Sequence, residues 1–153
     1  MTQYRQPGGR YSPRPEQRQS SLPRGYLERG YFDKEGNVLP EIIQEWAEQL
    51  ARTFLSEGLK STQLRRFFNR SRAIEQQNLP FERLREEILS LKPIAAASVG
   101  RKTAPDIFKV FVDRNVDLAV NSPESFSRGF LTHFQSVVAY VKYYENLPRG
   151  GSR

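Results

Sequence analysis

The chain has 153 residues, 37% hydrophobic and 12% aromatic, which is enough for one domain with a modest core and excludes a wholly disordered protein. It has no cysteine, which excludes disulfides, thiolate zinc sites and thiol nucleophiles, and no apolar run long enough to span a bilayer. The formal net charge of +7 favours a polyanionic partner, although charge alone does not separate RNA, DNA and an acidic membrane. Because no apolar signal core follows the N-terminal arginines, we expect a cytoplasmic protein.

Residues 1–29 are rich in arginine, proline and glycine and poor in apolar side chains, so we predict a disordered basic arm. Three tyrosines lie among its six arginines: Tyr4, Tyr11 and Tyr26. Such rings stack on unpaired bases while neighbouring arginines neutralise phosphates. The alternative is a tail that only adds solubility.

An ordered domain is predicted to begin near residue 30, where the aromatic pair Tyr31-Phe32 precedes a turn at Gly36-Asn37. Pro40 suits the first position of a helix and Gly58 suits its end, which predicts a helix over 40–57. The buried stripe of this helix consists of Ile42, Ile43, Trp46, Leu50 and Phe54. Its outer face carries acids that either match the helix dipole or form a charged contact between copies: Glu41, Glu45 and Glu48.

The helix predicted from Ser61 to about residue 78 combines an apolar face with a dense arginine surface. Its apolar residues recur at steps of three and four, which places Leu64, Phe67, Phe68 and Ile74 on one buried face. The arginines of this helix lie outside the buried face: Arg65, Arg66, Arg70 and Arg72. No acidic residue occurs in the helix before Glu75. Guanidinium groups bind two phosphate oxygens at once, so this surface favours a phosphate ligand. The alternative is an ordinary solvated face.

Three further helices and a short apolar one complete the predicted domain, which ends near residue 146. A helix over 81–91 is broken at Leu91-Lys92-Pro93, and a short small-residue helix then ends at Gly100, leaving Arg101 and Lys102 at the mouth of a loop. Helices from Pro105 to about 119 and over 123–145 follow, and 147–153 form a flexible tail. The predicted fold is therefore an all-α bundle of about five helices over 30–146.

The sequence contains no positive evidence for catalysis. His133 is the only histidine, lies among aromatic residues on the helical wheel, and is predicted to be packed in the core or at an interface. There is no Gly-rich phosphate loop, nucleophile elbow or convincing pair of carboxylates. We therefore predict a binding protein without catalytic residues, metal ligands or cofactors.

From Tyr31 to Tyr144 the chain resembles the small subunit of the type III-A CRISPR effector, the Csm complex. The resemblance is carried in order by Tyr31-Phe32-Asp33 with Gly36-Asn37, Leu64-Arg65-Arg66-Phe67-Phe68-Asn69, Leu91-Lys92-Pro93, the Ala-rich run into Gly100-Arg101, and Tyr140-Val141-Lys142-Tyr143-Tyr144. It implies a small helical protein without catalytic activity, present in several copies beside the guide RNA and the target RNA. Other subunits of the complex would cut the target and make the signalling nucleotide. The arm before residue 30 departs from the family's compact form.

Charge, helical pattern and resemblance together predict that the chain binds RNA through backbone phosphates, supports antiviral defence and contacts neighbouring copies of itself, with no membrane partner. The guide RNA supplies specificity by base pairing, so shape and charge are sufficient for the protein. The candidate RNA-binding residues are Arg65, Arg66, Asn69, Arg72, Lys92, Arg101 and Lys102. A helix-turn-helix DNA-binding protein is one alternative, since the helix before Gly58 and the arginine helix fit its outline. A helical scaffold that binds only protein is another.

Overall fold

The computed structural model describes residues 21–148. Most of these residues lie in five helical stretches, over 40–56, 61–76, 81–100, 106–119 and 123–145. The all-α prediction is confirmed. Within the described range, extended pairing is limited to one isolated bridge between Phe32 and Val38. The elements are α1 (Pro40–Ile43), α2 (Glu45–Ser56), α3 (Ser61–Gln76), α4 (Phe81–Leu89), α5 (Leu91–Gly100), α6 (Asp106–Ala119), a π-helical turn (Ser125–Phe130) and α7 (Leu131–Glu145).

Helix α7 is the central helix, because α1, α2, α3 and the π-helical turn all pack against it. Phe134 of α7 is fully buried, and its ring lies 5.2 Å from that of Phe68, 5.6 Å from that of Phe111 and 5.6 Å from that of Phe130, between centroids. Aromatic pairs at these separations add to the free energy gained from area burial. The apolar stripes predicted from the sequence thus meet in one aromatic core, except for Ile43, which is 41% exposed.

Two helix boundaries differ from the prediction. The helix predicted over 40–57 is interrupted at Gln44, whose φ of −111° and ψ of −86° are not helical. This interruption separates α1 from α2, and the carbonyl of Ile42 lies 2.7 Å from Nδ1 of His133. Pro93 does not begin a break, because it stands in the first turn of α5, where proline removes no intrahelical hydrogen bond. Helix α4 instead ends at Leu89 and α5 begins at Leu91, with Ser90 between them.

Part of the predicted N-terminal arm lies within the described residues. Tyr26 and Leu27 are only 3% and 4% exposed, so residues 21–29 belong to the fold and Tyr26 is not available to stack on bases. The prediction for residues 1–20, including Tyr4 and Tyr11, lies outside the described residues, as does the tail over 149–153. Residues 21–29 are therefore part of the folded domain.

A glycine in the π-helical turn makes room for this N-terminal segment. Gly129 is buried, and a Cβ atom there would collide with the ring of Tyr31. The ring packs directly on the backbone of the turn, which is the close approach that only glycine permits. Residues 21–39 thus cover the start of the central helix rather than leading loosely into the domain.

Candidate nucleic-acid interface

Helix α3 presents its basic residues to solvent because its opposite face is buried against α7. Leu64, Phe67, Phe68 and Ile74 are buried, as the helical periodicity predicts, and the hydroxyl of Ser71 on the same face donates to the carbonyl of Phe67 at 3.0 Å. Lys60, rather than Ser61 or Thr62, is the N-cap residue. The five polar residues on the outer face are all exposed: Arg65, Arg66, Asn69, Arg70 and Arg72.

Three arginines meet at a groove between α3, α5 and the loop that leads to α6. Arg66, Arg70 and Arg101 line a cavity of about 120 Å³, together with Gln63 and Ser98. Its floor is apolar and consists of Leu59, Phe67, Ile94, Ala104 and Phe108. We call this cavity the arginine groove. None of the described residues that line it is acidic.

The end of α5 fixes the position of Arg101. The amide of Thr103 donates to the carbonyl of Ser98 and the amide of Lys102 to that of Val99, both at 2.9 Å. These two bonds form a Schellman motif, in which Lys102 takes a left-handed conformation with φ of +61°. Gly100, where the sequence predicts the end of this helix, is its last residue. The motif turns the chain sharply and leaves Arg101 beside α3.

The other predicted residues do not join the arginine groove. Arg65 and Asn69 lie on the exposed side of α3, and the guanidinium of Arg72 lies 5.9 Å from the ring centroid of Phe68. Lys92 is 35% exposed in its side chain and forms an ion pair with Asp117, with Nζ and Oδ1 2.5 Å apart. Lys102 lines a separate cavity with Glu57 and Asp106. The structure thus brings together Arg66 and Arg101 of the seven predicted residues.

Arg70 was missing from the predicted site, although the helical wheel places it in one row with Arg66. Residues four apart on a helix lie on the same side, one turn from each other. That spacing was the available signal. It indicated that Arg66 and Arg70 act together, but it did not show which element would face them.

The arginines of the groove have no carboxylate partner within residues 21–148, whereas several other cations do. Arg29 pairs with Glu41 and Lys109 with Asp113, each at 2.6 Å. Three like charges around one concavity repel each other unless solvent or a bound anion screens them. The groove is therefore a site suited to an anionic ligand.

His133 belongs to a buried hydrogen-bond network, as the prediction of a packed histidine requires. Its Nδ1 donates to the Ile42 carbonyl, so Nε2 accepts the hydroxyl of Tyr26 at 2.6 Å. Asn115 Nδ2 donates to the same hydroxyl oxygen at 2.9 Å, and the hydroxyl of Tyr31 donates to Asn115 Oδ1 at 2.7 Å. We call Tyr26, Tyr31, Asn115 and His133 the polar clasp, since it fastens the N-terminal segment to α6 and α7.

Every buried polar side-chain atom of the polar clasp has a hydrogen-bond partner. Burial lowers the pKa of His133 to about 4 and raises that of Tyr26, so both are neutral near pH 7. Across the described residues no buried side-chain nitrogen or oxygen lacks a hydrogen-bond partner. The same residues hold no group of three histidine, aspartate or glutamate side chains placed to bind a metal ion. No helix described there has the length and apolar character of a membrane span.

Comparison with known proteins relates the chain to a protein family. The profile of a family described as Csm2 Type III-A matches residues 39–146, which is more than half of the chain. The match covers all seven predicted residues and Arg70, whereas Tyr31-Phe32-Asp33, part of the resemblance seen in the sequence, lies before it. No curated protein and no solved structure matches the chain.

Proposed function

The chain belongs to the Csm2 family, the small subunit of the type III-A CRISPR Csm complex, and from this premise we propose that it is a non-catalytic subunit that binds RNA through backbone phosphates. In this role several copies lie beside the guide RNA and the target RNA and contact one another and the other subunits. Base pairing by the guide provides sequence specificity, so each copy recognises only shape and charge. The subunit thereby supports antiviral defence in the cytoplasm.

The arginine groove is the observation that carries this proposal. Arg66, Arg70 and Arg101 come from two parts of the chain, converge on one cavity, and have no carboxylate partner in the described structure. A guanidinium offers a planar fork of donors that matches phosphate oxygens. Arg65, Asn69 and Arg72 extend the same polar surface along α3. The groove and this surface together would follow a stretch of phosphodiester backbone.

The non-catalytic part of the proposal is supported by the state of His133. Both of its ring nitrogens are hydrogen-bonded inside the core, and its side chain is inaccessible to a substrate. The only histidine of the chain is thus engaged in holding the fold.

The test is the triple variant Arg66→Ala, Arg70→Ala and Arg101→Ala in the full chain. All three side chains are exposed, so their truncation leaves no core cavity and the thermal midpoint should stay near that of the parent. RNA affinity should fall about tenfold for each phosphate contact worth roughly 1.4 kcal/mol. The matched control removes the same charge elsewhere through alanine at three exposed residues, Lys34, Arg52 and Lys142, and should have a much smaller effect.

The salt dependence of binding identifies the contacts as phosphate contacts. If four to six phosphates are neutralised, the logarithm of the affinity for single-stranded RNA should fall against that of salt with a slope of roughly −3 to −4. The triple variant should lose about 0.7 of that slope for each contact removed. A variant that binds RNA with the affinity and slope of the parent would show that α3 is only a solvated surface.

Competition separates this proposal from its two alternatives. A helix-turn-helix protein would prefer duplex DNA over a guide-target RNA hybrid, and a protein scaffold would bind neither. We expect the RNA hybrid to compete more effectively than duplex DNA of equal length.

A further inference from the structure

We propose that the arginine groove holds one unpaired nucleotide of the bound RNA, with its base on the apolar floor and its phosphate at the arginines. This inference rests on the proposed RNA-binding function and adds a base-sized subsite to it. The protein would then respond to strand pairing as well as to charge.

The composition of the groove is the first argument. A bare phosphate is recognised through its oxygens, but half of the residues that line this groove are apolar: Leu59, Phe67, Ile94, Ala104 and Phe108. Apolar surface contributes binding free energy only to a ligand that brings apolar surface with it. In a nucleic acid the face of the base supplies this surface, while ribose and phosphate are polar.

The rigidity of the floor is the second argument. The ring of Phe67 packs edge-on against Phe108, with centroids 5.0 Å apart, and is stacked on Phe134 at 5.9 Å. Phe67 is 6% exposed and Phe108 2% exposed, so both rings are held by the core, and the apolar surface open to a ligand belongs mainly to the half-buried Ile94 and Ala104. A preformed apolar surface costs less conformational entropy on binding than one that must be assembled.

The volume of the groove sets the size of its occupant. At about 120 Å³ the cavity is much larger than the roughly 10–15 Å³ that one water needs. It is also smaller than the roughly 300–1,000 Å³ of pockets that enclose an independent small ligand. One base of a longer strand fits between these limits, since the strand's other nucleotides remain outside.

This geometry predicts which pairing state of the RNA the groove prefers. A base inside a duplex is stacked and paired, and it reaches a pocket only if it leaves the stack, which costs a few kcal/mol. An unpaired nucleotide enters without that cost. The groove should therefore favour single-stranded or bulged RNA over a continuous duplex with the same number of phosphates.

The test fills the floor without changing any charge. Ala104 is half-buried in the loop after α5, so Ala104→Leu should occupy the cavity and leave all three arginines in place. We expect affinity for a short single-stranded RNA to fall about fivefold, because the apolar contact of one base is lost, while the salt slope stays unchanged. Affinity for a fully paired RNA duplex should not change. Ala139→Leu, on an exposed position of α7, is the matched control and should bind both RNAs like the parent.

An abasic RNA provides the complementary test. The parent should bind it more weakly than the intact strand, whereas Ala104→Leu should bind the two equally, because each change removes the same contact. If Ala104→Leu lowers the thermal midpoint, the smaller Ala104→Val should show a graded loss of single-strand affinity in a folded protein. The inference is overturned if a folded Ala104 variant binds intact and abasic strands like the parent, or loses duplex affinity equally.

The arginine triple variant distinguishes a failure of the base subsite from a failure of the proposed RNA-binding function. If it loses RNA affinity while the Ala104 variants do not, backbone binding stands and the base subsite is wrong. If it binds RNA like the parent, the proposed function itself is wrong, whatever the Ala104 variants do.

Discussion

The polar clasp and the arginine groove both bring polar side chains from distant parts of the chain next to aromatic residues of the core. They differ in whether those polar groups are paired within the fold. In the clasp, Asn115 and His133 are fully buried and every hydrogen-bonding atom has a partner. In the groove, Arg66, Arg70 and Arg101 are exposed and have no carboxylate partner among the described residues. The polar groups of the clasp are satisfied within the fold, whereas the charged groups of the groove are left to solvent or to a ligand.

This difference predicts that the clasp contributes mainly to stability and the groove mainly to ligand affinity. An unpaired polar group in a core loses its hydration without compensation, so changes in the clasp should cost free energy of unfolding. An exposed arginine keeps its hydration, so its removal should cost little stability and act mainly on ligand affinity. Mutations in the two regions should therefore affect different measurements, and the following experiments test that separation.

The largest effect should come from removing the segment that the clasp holds. A chain that begins at residue 30 lacks Tyr26 and Leu27, and the loss of one large aromatic ring from a core alone costs about 3–5 kcal/mol. A chain that begins at residue 21 retains the whole described core and is the matched control. Denaturant unfolding of both should show a strong destabilisation of the shorter chain only. Equal stability would mean that the segment 21–29 contributes no more than a surface tail, as its composition suggested.

Acid should weaken the clasp through His133. The pKa of this histidine is lowered to about 4 in the fold against roughly 6.5 in the unfolded chain, so the folded state binds fewer protons between these values. Its contribution is fully present above pH 6.5 and is lost as the pH falls to 4. The loss amounts to about 3 kcal/mol, from 1.36 kcal/mol per pKa unit.

The variant His133→Gln keeps a donor and an acceptor but has no proton to gain. Its unfolding free energy should therefore change much less than that of the parent between pH 6.5 and 4. Asp33, whose pKa is lowered by hydrogen bonds from the Asn37 backbone, titrates in both proteins and cancels in the comparison. The same slope in both proteins would contradict the assignment of a neutral buried imidazole.

Removing one oxygen from the clasp should have a smaller effect. Tyr26→Phe keeps the ring but leaves Nε2 of His133 and Nδ2 of Asn115 without the hydroxyl that each contacts. A buried group left unsatisfied costs about 1–3 kcal/mol, and Asn115 retains its bond to the carbonyl of Phe111. Tyr143→Phe removes the same oxygen from a ring that is 56% exposed and should leave the unfolding free energy nearly unchanged. RNA affinity should be the same in both variants.

The periodic parts of the fold could be predicted from the sequence because their apolar residues recur at helical spacing. Helices α3 and α6 begin and end close to the expected residues for that reason. The interruption at Gln44 could not be predicted, because the apolar stripe continues through it and its hydrogen-bond partner, His133, is remote in sequence. The sequence predicts that Tyr26 and Leu27 belong to the arm, because two core residues do not outweigh the arginines around them in a composition average.

The candidate site was predictable as a surface but not as a cavity. The helical wheel shows which arginines of α3 avoid the core, and Arg66 does line the groove. The approach of α5 to α3 depends on packing between helices, which no local pattern records. Arg70 was omitted and Lys92 included for this reason, since the ion pair of Lys92 with Asp117 joins residues of two helices.

The smallest effect concerns Lys102, where the stability of the fold and the proposed binding surface meet. Helices α2 and α5 end in the same Schellman motif, with Gly58 at φ +88° in one and Lys102 at φ +61° in the other. A left-handed conformation costs an L-residue roughly 1–2 kcal/mol that glycine does not pay. Part of this is offset, because glycine makes the unfolded chain more flexible by about 0.4–1 kcal/mol.

We therefore expect Lys102→Gly to raise the unfolding free energy by about 0.5 kcal/mol, as measured by denaturant titration. Gly58→Ala is the reciprocal control and should lower it, because a side chain at φ +88° is strained even where space is open. If Lys102 contacts RNA, the stabilised Lys102→Gly variant should also bind RNA more weakly and lose about 0.7 of the salt slope for single strands. Greater stability with unchanged binding would remove Lys102 from the interface, and a loss of stability would mean that its side chain makes compensating contacts within the fold.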